Sequence, residues 1–316
     1  MTDRLLDYVN DVARTVARKY PDKILLTAAY TDATSRPPVR VTPEPNVRIG
    51  YCPYPGQCNC QSHDLTCEKN RQSAEDIRGW LAKCPGQVYV NEYPRGYQCW
   101  YEPFGSFYAM ARRVKQYAAG GVTGIAFCVV PENFRDLFLF VMGRLLWEPE
   151  ADVEALIDEF MAAYYGEAAP AVREYFDFLH REIDQRPVHQ MCERCNPQLV
   201  TAAFAEKALG IFARAQAAVA DDPVRLARVD AEKFCVLWAD VHQRNPLHGR
   251  LAVDSAEFDR RLSELVRIAR DRKLLRVGRT DLGLTQNWLS HVSGIKLSAE
   301  PWYTDPLVEQ LIAGGR

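Results

Sequence analysis

The chain has 316 residues, of which 47% are hydrophobic and 25% charged, a soluble globular composition with ample apolar material for a large core. A formal net charge of -2 and the lack of any basic run leave no field that would track phosphates, so nucleic acid is not an expected partner. The start, MTDRLLDYVNDVARTVARKY, lacks the features of a secretory signal, and no apolar segment approaches a membrane span, so the chain is expected to stay where it is made and to meet no membrane.

Leu5, Val9, Val12, Val16 and Tyr20 recur at helical spacing, with Thr2 or Asp3 placed to cap and Pro21 to stop the run. ILLTAAY, Ile24 to Tyr30, follows as a short apolar strand that ends in the polar turn TDATSRPP. The pattern continues with VRIGYC, Val47 to Cys52, a cysteine-rich loop, the helix QSAEDIRGWLAKC, and VYVNEY, Val88 to Tyr93. After an aromatic loop, FYAMARRVKQYAAGGV reads as a helix closed by Gly120 and Gly121, and it feeds GIAFCVV, Gly124 to Val130. Four apolar strands separated by helices predict an α/β region with a parallel sheet. From Pro131 the character changes to successive amphipathic helices, beginning FRDLFLFVMGRLLW and ADVEALIDEFMAAYYG and ending SAEFDRRLSELVRIARDR. The expected division is residues 1–147 as four β/α units and 148–316 as an α-helical region.

Four units are too few for an eight-stranded barrel, which takes about 250 residues. Spacing alone leaves a small open sheet and half of a barrel as alternatives. The segments LLDYVNDVARTVARKYPDKILLTAAYTDATSRPP, PNVRIGYCPYP, GGVTGIAF and LLWEPEADVEALIDEFMAAYYGEAAPAVREYFDFLH resemble the bacterial DUF4838 family over roughly residues 1–185. That family is similar to barrel-fold glycoside hydrolases, and some of its members are assigned to glycoside hydrolase family 163, which acts on β-linked N-acetylglucosamine. The resemblance implies the C-terminal half of a (β/α)8 TIM-like barrel followed by a helical domain, because the segment similar to residues 1–38 normally lies mid-protein. It also implies a missing N-terminal half, and an exposed half-barrel edge would favour a homodimer.

Barrel enzymes carry their working groups at the C-terminal ends of the strands. Glycoside hydrolysis needs two carboxyls, one to protonate the leaving oxygen and one to attack or to activate water, about 5 to 10 Å apart according to mechanism, and the retaining type is the one expected here. Glu92 and Glu132, at the ends of neighbouring strands, are the catalytic candidates, with Asp32, in a turn, and Glu102, before Pro103, weaker. Sugar faces stack on aromatic rings, so Tyr30, Tyr51, Tyr93, Tyr97, Trp100 and Tyr101, with Asp32, are the candidate substrate-binding residues. Aromatic packing over the barrel mouth is the plainer alternative. Many relatives carry an acid near the position of Phe127, and its absence here points toward a non-catalytic carbohydrate-binding or assembly module as the alternative to a glycosidase.

The loop from Cys52 to Cys67 offers Cys58, Cys60 and His63 as well, and Cys192 and Cys195 form a second C-x-x-C. C-x-C followed by H-x-x-x-C is not a standard finger spacing, so cysteines packed on the rim, free or disulfide-bonded, are expected rather than a metal. There is no P-loop and no G-x-G-x-x-G, and no cofactor is expected.

Overall fold

A computed structural model describes residues 1–53, 60–94, 96, 101–128, 133–186, 188–191, 198–244 and 254–271. Four strands, β1 (Leu25–Ala29), β2 (Val47–Tyr51), β3 (Val88–Glu92) and β4 (Gly124–Phe127), form one parallel sheet in the order β1-β2-β3-β4. Each lies inside a run that its apolar character predicts. The register sets Ala29 beside Tyr51, Tyr51 beside Val90, and Glu92 beside Phe127, so the C-terminal ends of the strands form one edge. Between the strands run α1 (Thr2–Lys19, before β1), the single turn α2 (Thr31–Thr34), α3 (Arg71–Lys83) and α4 (Phe107–Gly120).

Alternation along the strands decides which side is dry. Val47, Ile49 and Tyr51 of β2 and Val88, Val90 and Glu92 of β3 are buried beneath the helices, in a core with Leu6, Ala13, Ile77, Trp80 and Tyr117. The opposite face is uncovered among the described residues: Leu26 is 71% exposed, Tyr89 is 39% exposed, and Ala28 and Ala126 are exposed as well. The Tyr89 ring shields β4, because a Cβ on Gly124 would lie 2.7 Å from two of its carbons.

Two details of α1 differ from the sequence pattern. Its fully buried line is Thr2, Leu6, Asn10 and Ala13, one step round from the apolar series, and Tyr20 is exposed. Asn10 earns burial by donating to the Thr42 carbonyl at 2.8 Å and accepting from the Glu44 N–H at 2.9 Å. Neither Thr2 nor Asp3 caps the helix; Thr2 donates to the Arg36 carbonyl, and Asp3 accepts from the backbone N–H groups of Arg40 and Val41. Their side chains bind the loop that enters β2 instead. Gly121, at φ 90°, ends α4 as the left-handed cap, donating to the Ala118 and Tyr117 carbonyls.

The helical region comprises α5 (Arg135–Trp147), α6 (Val153–Tyr165), α7 (Ala169–Gln185), α8 (Ala202–Ala218), α9 (Pro223–Arg244) and α10 (Ser255–Asp271). Asp152 caps α6, its Oδ1 accepting from the Glu154 and Ala155 N–H groups at 3.0 and 3.2 Å. α4 belongs to both cores, since Phe107, Met110 and Val114 pack with the helical cluster whereas Tyr117 packs under the sheet. Among the described residues no helix is long and apolar enough to cross a membrane.

The start of α5 is held by a carboxylate from a distant helix. Glu232 of α9 accepts from Asn133 Nδ2 at 2.7 Å, the Phe134 N–H at 2.8 Å and the Tyr165 hydroxyl at 2.9 Å, all buried. Phe134 sits at φ 56°, a left-handed conformation uncommon for a bulky residue, and the carboxylate holds it there at the positive end of the helix. Replacing Glu232 by Ala strands these donors and is expected to lower stability by about 3 kcal/mol. Glu232→Gln is expected to lose roughly half as much, because its amide oxygen still accepts. Urea unfolding with an unchanged m value checks both.

Candidate functional site

The C-terminal edge of the sheet carries Tyr30, Cys52, Tyr93 and Cys128 directly after the four strands. Tyr30 and Tyr93 stack with ring centroids 6.2 Å apart and planes 21° apart, each half-buried. Their hydroxyls are hydrogen-bonded to one another, and burial pushes the Tyr93 phenol well up. The Tyr30 backbone is fixed by Thr34: its N–H donates to Thr34 Oγ1 at 3.1 Å, and that hydroxyl donates back to the Tyr30 carbonyl at 2.7 Å. The next residue, Thr31, holds φ 60°, a strained choice for a β-branched residue that turns the chain sharply away from the rim. Asn91, on the uncovered face, donates to Cys52 Sγ at 3.8 Å, and burial raises the Cys52 thiol.

Glu92 occupies a different environment. It shares a face with Val88 and Val90, so it points under the helices and is 0% exposed. Arg113 of α4, also 0% exposed, donates from Nη1 to both carboxylate oxygens at 3.0 and 3.1 Å. The Tyr117 hydroxyl, one turn further along α4, donates to Oε1. Burial works against the Arg113 charge, but the adjacent Glu92 carboxylate outweighs it and holds the guanidinium protonated. Burial and the same carboxylate push the Tyr117 phenol far up.

The second arm of Arg113 reaches the cysteine loop. Nη2 donates to the carbonyls of Cys60 and His63 at 2.6 and 2.8 Å. Asn70, where α3 begins, clamps the same loop: its oxygen accepts from the Cys60 N–H at 2.8 Å, and its amide donates to the carbonyls of Cys60, His63 and Asp64. So held, the loop gathers Cys60, His63 and Cys67 beside His189 from the segment after α7, with their ligand atoms all within 4.8 Å of one another. No disulfide joins the six described cysteines, Cys52, Cys60, Cys67, Cys84, Cys128 and Cys235.

The other predicted residues are dispersed. Tyr51 is fully buried beneath α3, donating to the Ser73 carbonyl at 3.3 Å. Tyr101 lies in the helical core, edge-on to Phe234 at 4.9 Å, and Glu102 is buried. Asp32 is exposed on α2. Phe127 packs edge-on against Phe138 at 5.4 Å. Glu132, Tyr97 and Trp100, with Cys58, Cys192 and Cys195, lie outside the described residues. The structure therefore brings together Tyr30 and Tyr93 at the rim, and it separates Glu92 and Tyr51 from them by the thickness of the sheet. Arg113 escaped the sequence reading although its signal was present, a charge on the apolar stripe formed by Met110, Val114 and Tyr117. His189 had no local signal, being 122 residues from Cys67.

Removing one partner of the Glu92–Arg113 pair leaves the other charge buried. Glu92→Ala and Arg113→Met are each expected to lose about 3–5 kcal/mol, and the double variant less than their sum by about 2 kcal/mol. Chemical unfolding of the full cycle measures the coupling. The buried phenols of Tyr51, Tyr117, Tyr165 and Tyr175 are all raised by burial, so their folded-state values lie above the unfolded value of about 10. Their contribution to stability is whole below about pH 10 and falls above it, as the unfolded chain releases protons that the fold retains. Ultraviolet titration should therefore ionise only part of the 15 tyrosines before an alkaline unfolding transition ionises the rest.

A family profile described as a domain of unknown function, DUF4838, matches residues 1–177. No curated protein and no solved structure matches the chain. The matched span runs from α1 through the sheet and into α7, more than half of the 316 residues. The chain belongs to the DUF4838 family.

Proposed function

We propose that this chain binds glycans, with β-linked N-acetylglucosamine as the expected sugar, through the C-terminal edge of its sheet, and that it does so as a binding wall rather than as a complete glycosidase. The observation that carries the reading is the stacked Tyr30/Tyr93 pair at that edge, two half-buried rings whose hydroxyls are already bonded and whose orientation is fixed. Sugars dock their apolar C–H faces on such rings. A parallel sheet is ordinarily covered on both faces, and here the side bearing Leu26, Ala28, Tyr89 and Ala126 is open among the described residues. An open inner face of this kind is consistent with part of a barrel wall, its remaining strands supplied by further polypeptide.

The binding assignment is favoured over hydrolysis by the environment of Glu92. A general acid must reach the glycosidic oxygen. Both oxygens of Glu92 are engaged by Arg113 and one also by Tyr117, on the helix side of the sheet. In this reading Glu92 is a scaffold carboxylate, and Tyr30, Asn91 and Tyr93 face the ligand.

Calorimetric titration with N-acetylglucosamine oligomers is expected to show binding that weakens about tenfold in Tyr93→Ala, the scale of one lost aromatic contact. Aryl N-acetylglucosaminides should remain uncleaved. Absence of binding in the folded wild-type protein would overturn the glycan reading. Turnover that disappears in Glu132→Gln would overturn the non-catalytic assignment and restore a glycosidase.

A further inference from the structure

We propose that Cys60, His63, Cys67 and His189 form a zinc site that ties the loop after β2 to the segment after α7. Cys60 Sγ lies 3.1 Å from His63 Nδ1 and 3.2 Å from His189 Nδ1, and Cys67 Sγ lies 3.7 Å from His189 Nδ1. A tetrahedral zinc with sulfur at about 2.3 Å and nitrogen at about 2.0–2.1 Å has ligand-to-ligand edges of about 3.3–3.8 Å. These three edges lie close to the tetrahedral values, and all four ligand atoms fall within 4.8 Å of one another, a gap that a small side-chain adjustment closes around an ion. Two thiolates and two imidazoles are a borderline-soft donor set that suits zinc and not calcium or magnesium. Two thiolate charges cancel those of the divalent cation, leaving a neutral site, and the two thiol protons pass to solvent on binding.

The surroundings hold these corners in place. Cys60 pairs with Met191 in an antiparallel bridge, and Gln61 N–H donates to the Gln190 carbonyl at 2.9 Å, which aligns the two segments and brings His189 across. Ser62 Oγ accepts from the Gln190 N–H at 3.0 Å and lies 3.4 Å from Cys60 Sγ and 3.3 Å from His63 Nδ1, where its hydroxyl can orient the ligand atoms. Asn70 and Arg113 occupy the loop carbonyls of Cys60 and His63, so the side chains and not the backbone face the ion. Cys60 is buried and the other three are half-buried, the closed setting of a structural site. All four protein corners are filled, so no position is left for a catalytic water.

Elemental analysis of the full chain, purified without chelator or metal resin, should find one zinc per chain. Cys67→Ser and His189→Ala should each lose at least tenfold in zinc retention, and Cys235→Ser, a thiol on α9, should keep it. Cobalt loaded into the wild-type protein in place of zinc should give the visible bands of a tetrahedral sulfur-and-nitrogen site, a readout that stands even where a variant fails to fold. The proposal is overturned if the folded wild-type chain takes up neither metal, or if zinc persists in both ligand variants. Peptide mapping that finds Cys60 joined to Cys67 as a disulfide in the freshly purified protein overturns it equally.

Discussion

The guanidinium of Arg113 is the contact on which the rest of this architecture depends. It is buried, and taking a lone charge of that size out of water is costly by several kcal/mol even after relaxation. Its Nη1 faces both oxygens of the Glu92 carboxylate at the end of β3, and its Nη2 donates to the carbonyls of Cys60 and His63. One side chain from α4 thereby fixes the end of a central strand and the loop that follows β2. Because α4 also contributes to both hydrophobic cores, a shift of Arg113 would disturb sheet, loop and helical region together. A buried pair of this kind is not a large net source of stability, but it tolerates very few alternative arrangements, since every other arrangement leaves a charge without partners.

The strands were legible because their chemistry is local. Alternating buried and open positions in VRIGY and VYVNE, and the glycine that stops α4, follow from short-range rules, and the observed elements fall where those rules put them. Glu92 shows where such reading stops. Distance along the strand put it at the C-terminal rim, which is correct, but the two-residue period also puts it on the same face as Val88 and Val90, under the helices. Asn10 of α1 and Glu232 of α9 were hidden for a related reason: each is a polar residue inside a core, and its partners are loop or helix-end N–H groups far away in sequence. The grouping of His189 with Cys60 and Cys67 depends on the segment after α7 pairing with the loop after β2, which no spacing rule encodes.

The sheet face that the described residues leave uncovered sets a second constraint. Leu26 and Tyr89 present apolar surface where a doubly covered parallel sheet would have a helix layer. Around Leu26 many positions are small or planar: Ala28, Gly50, Ala126, and Tyr89 lying over Gly124. Small residues permit close approach by other backbone or by a ligand, and a face built from them differs from the branched, bulky face that packs on α1, α3 and α4. The sheet is thus two-sided in chemistry, with structural ionic and aromatic contacts concentrated on one side and the accessible rings on the other.

That separation bears on how the rim is kept in shape. Tyr30 is locked by Thr34 and by the strained turn at Thr31, and Tyr93 follows directly on the strand residue that Arg113 grips. On the proposed glycan-binding reading, a ring held in one orientation would lose little side-chain entropy when a sugar docks, so rigidity provided from beneath the sheet would become affinity above it. The same logic explains why the loop after β2 is clamped from three directions, by Asn70, by Arg113 and by the antiparallel pairing of Cys60 with Met191. A long loop beside the sheet edge would otherwise sample many positions, and each additional anchor removes part of that freedom. The ionic pair under β3 and the Cys/His cluster beside it therefore act in series, the first holding the backbone that carries the second.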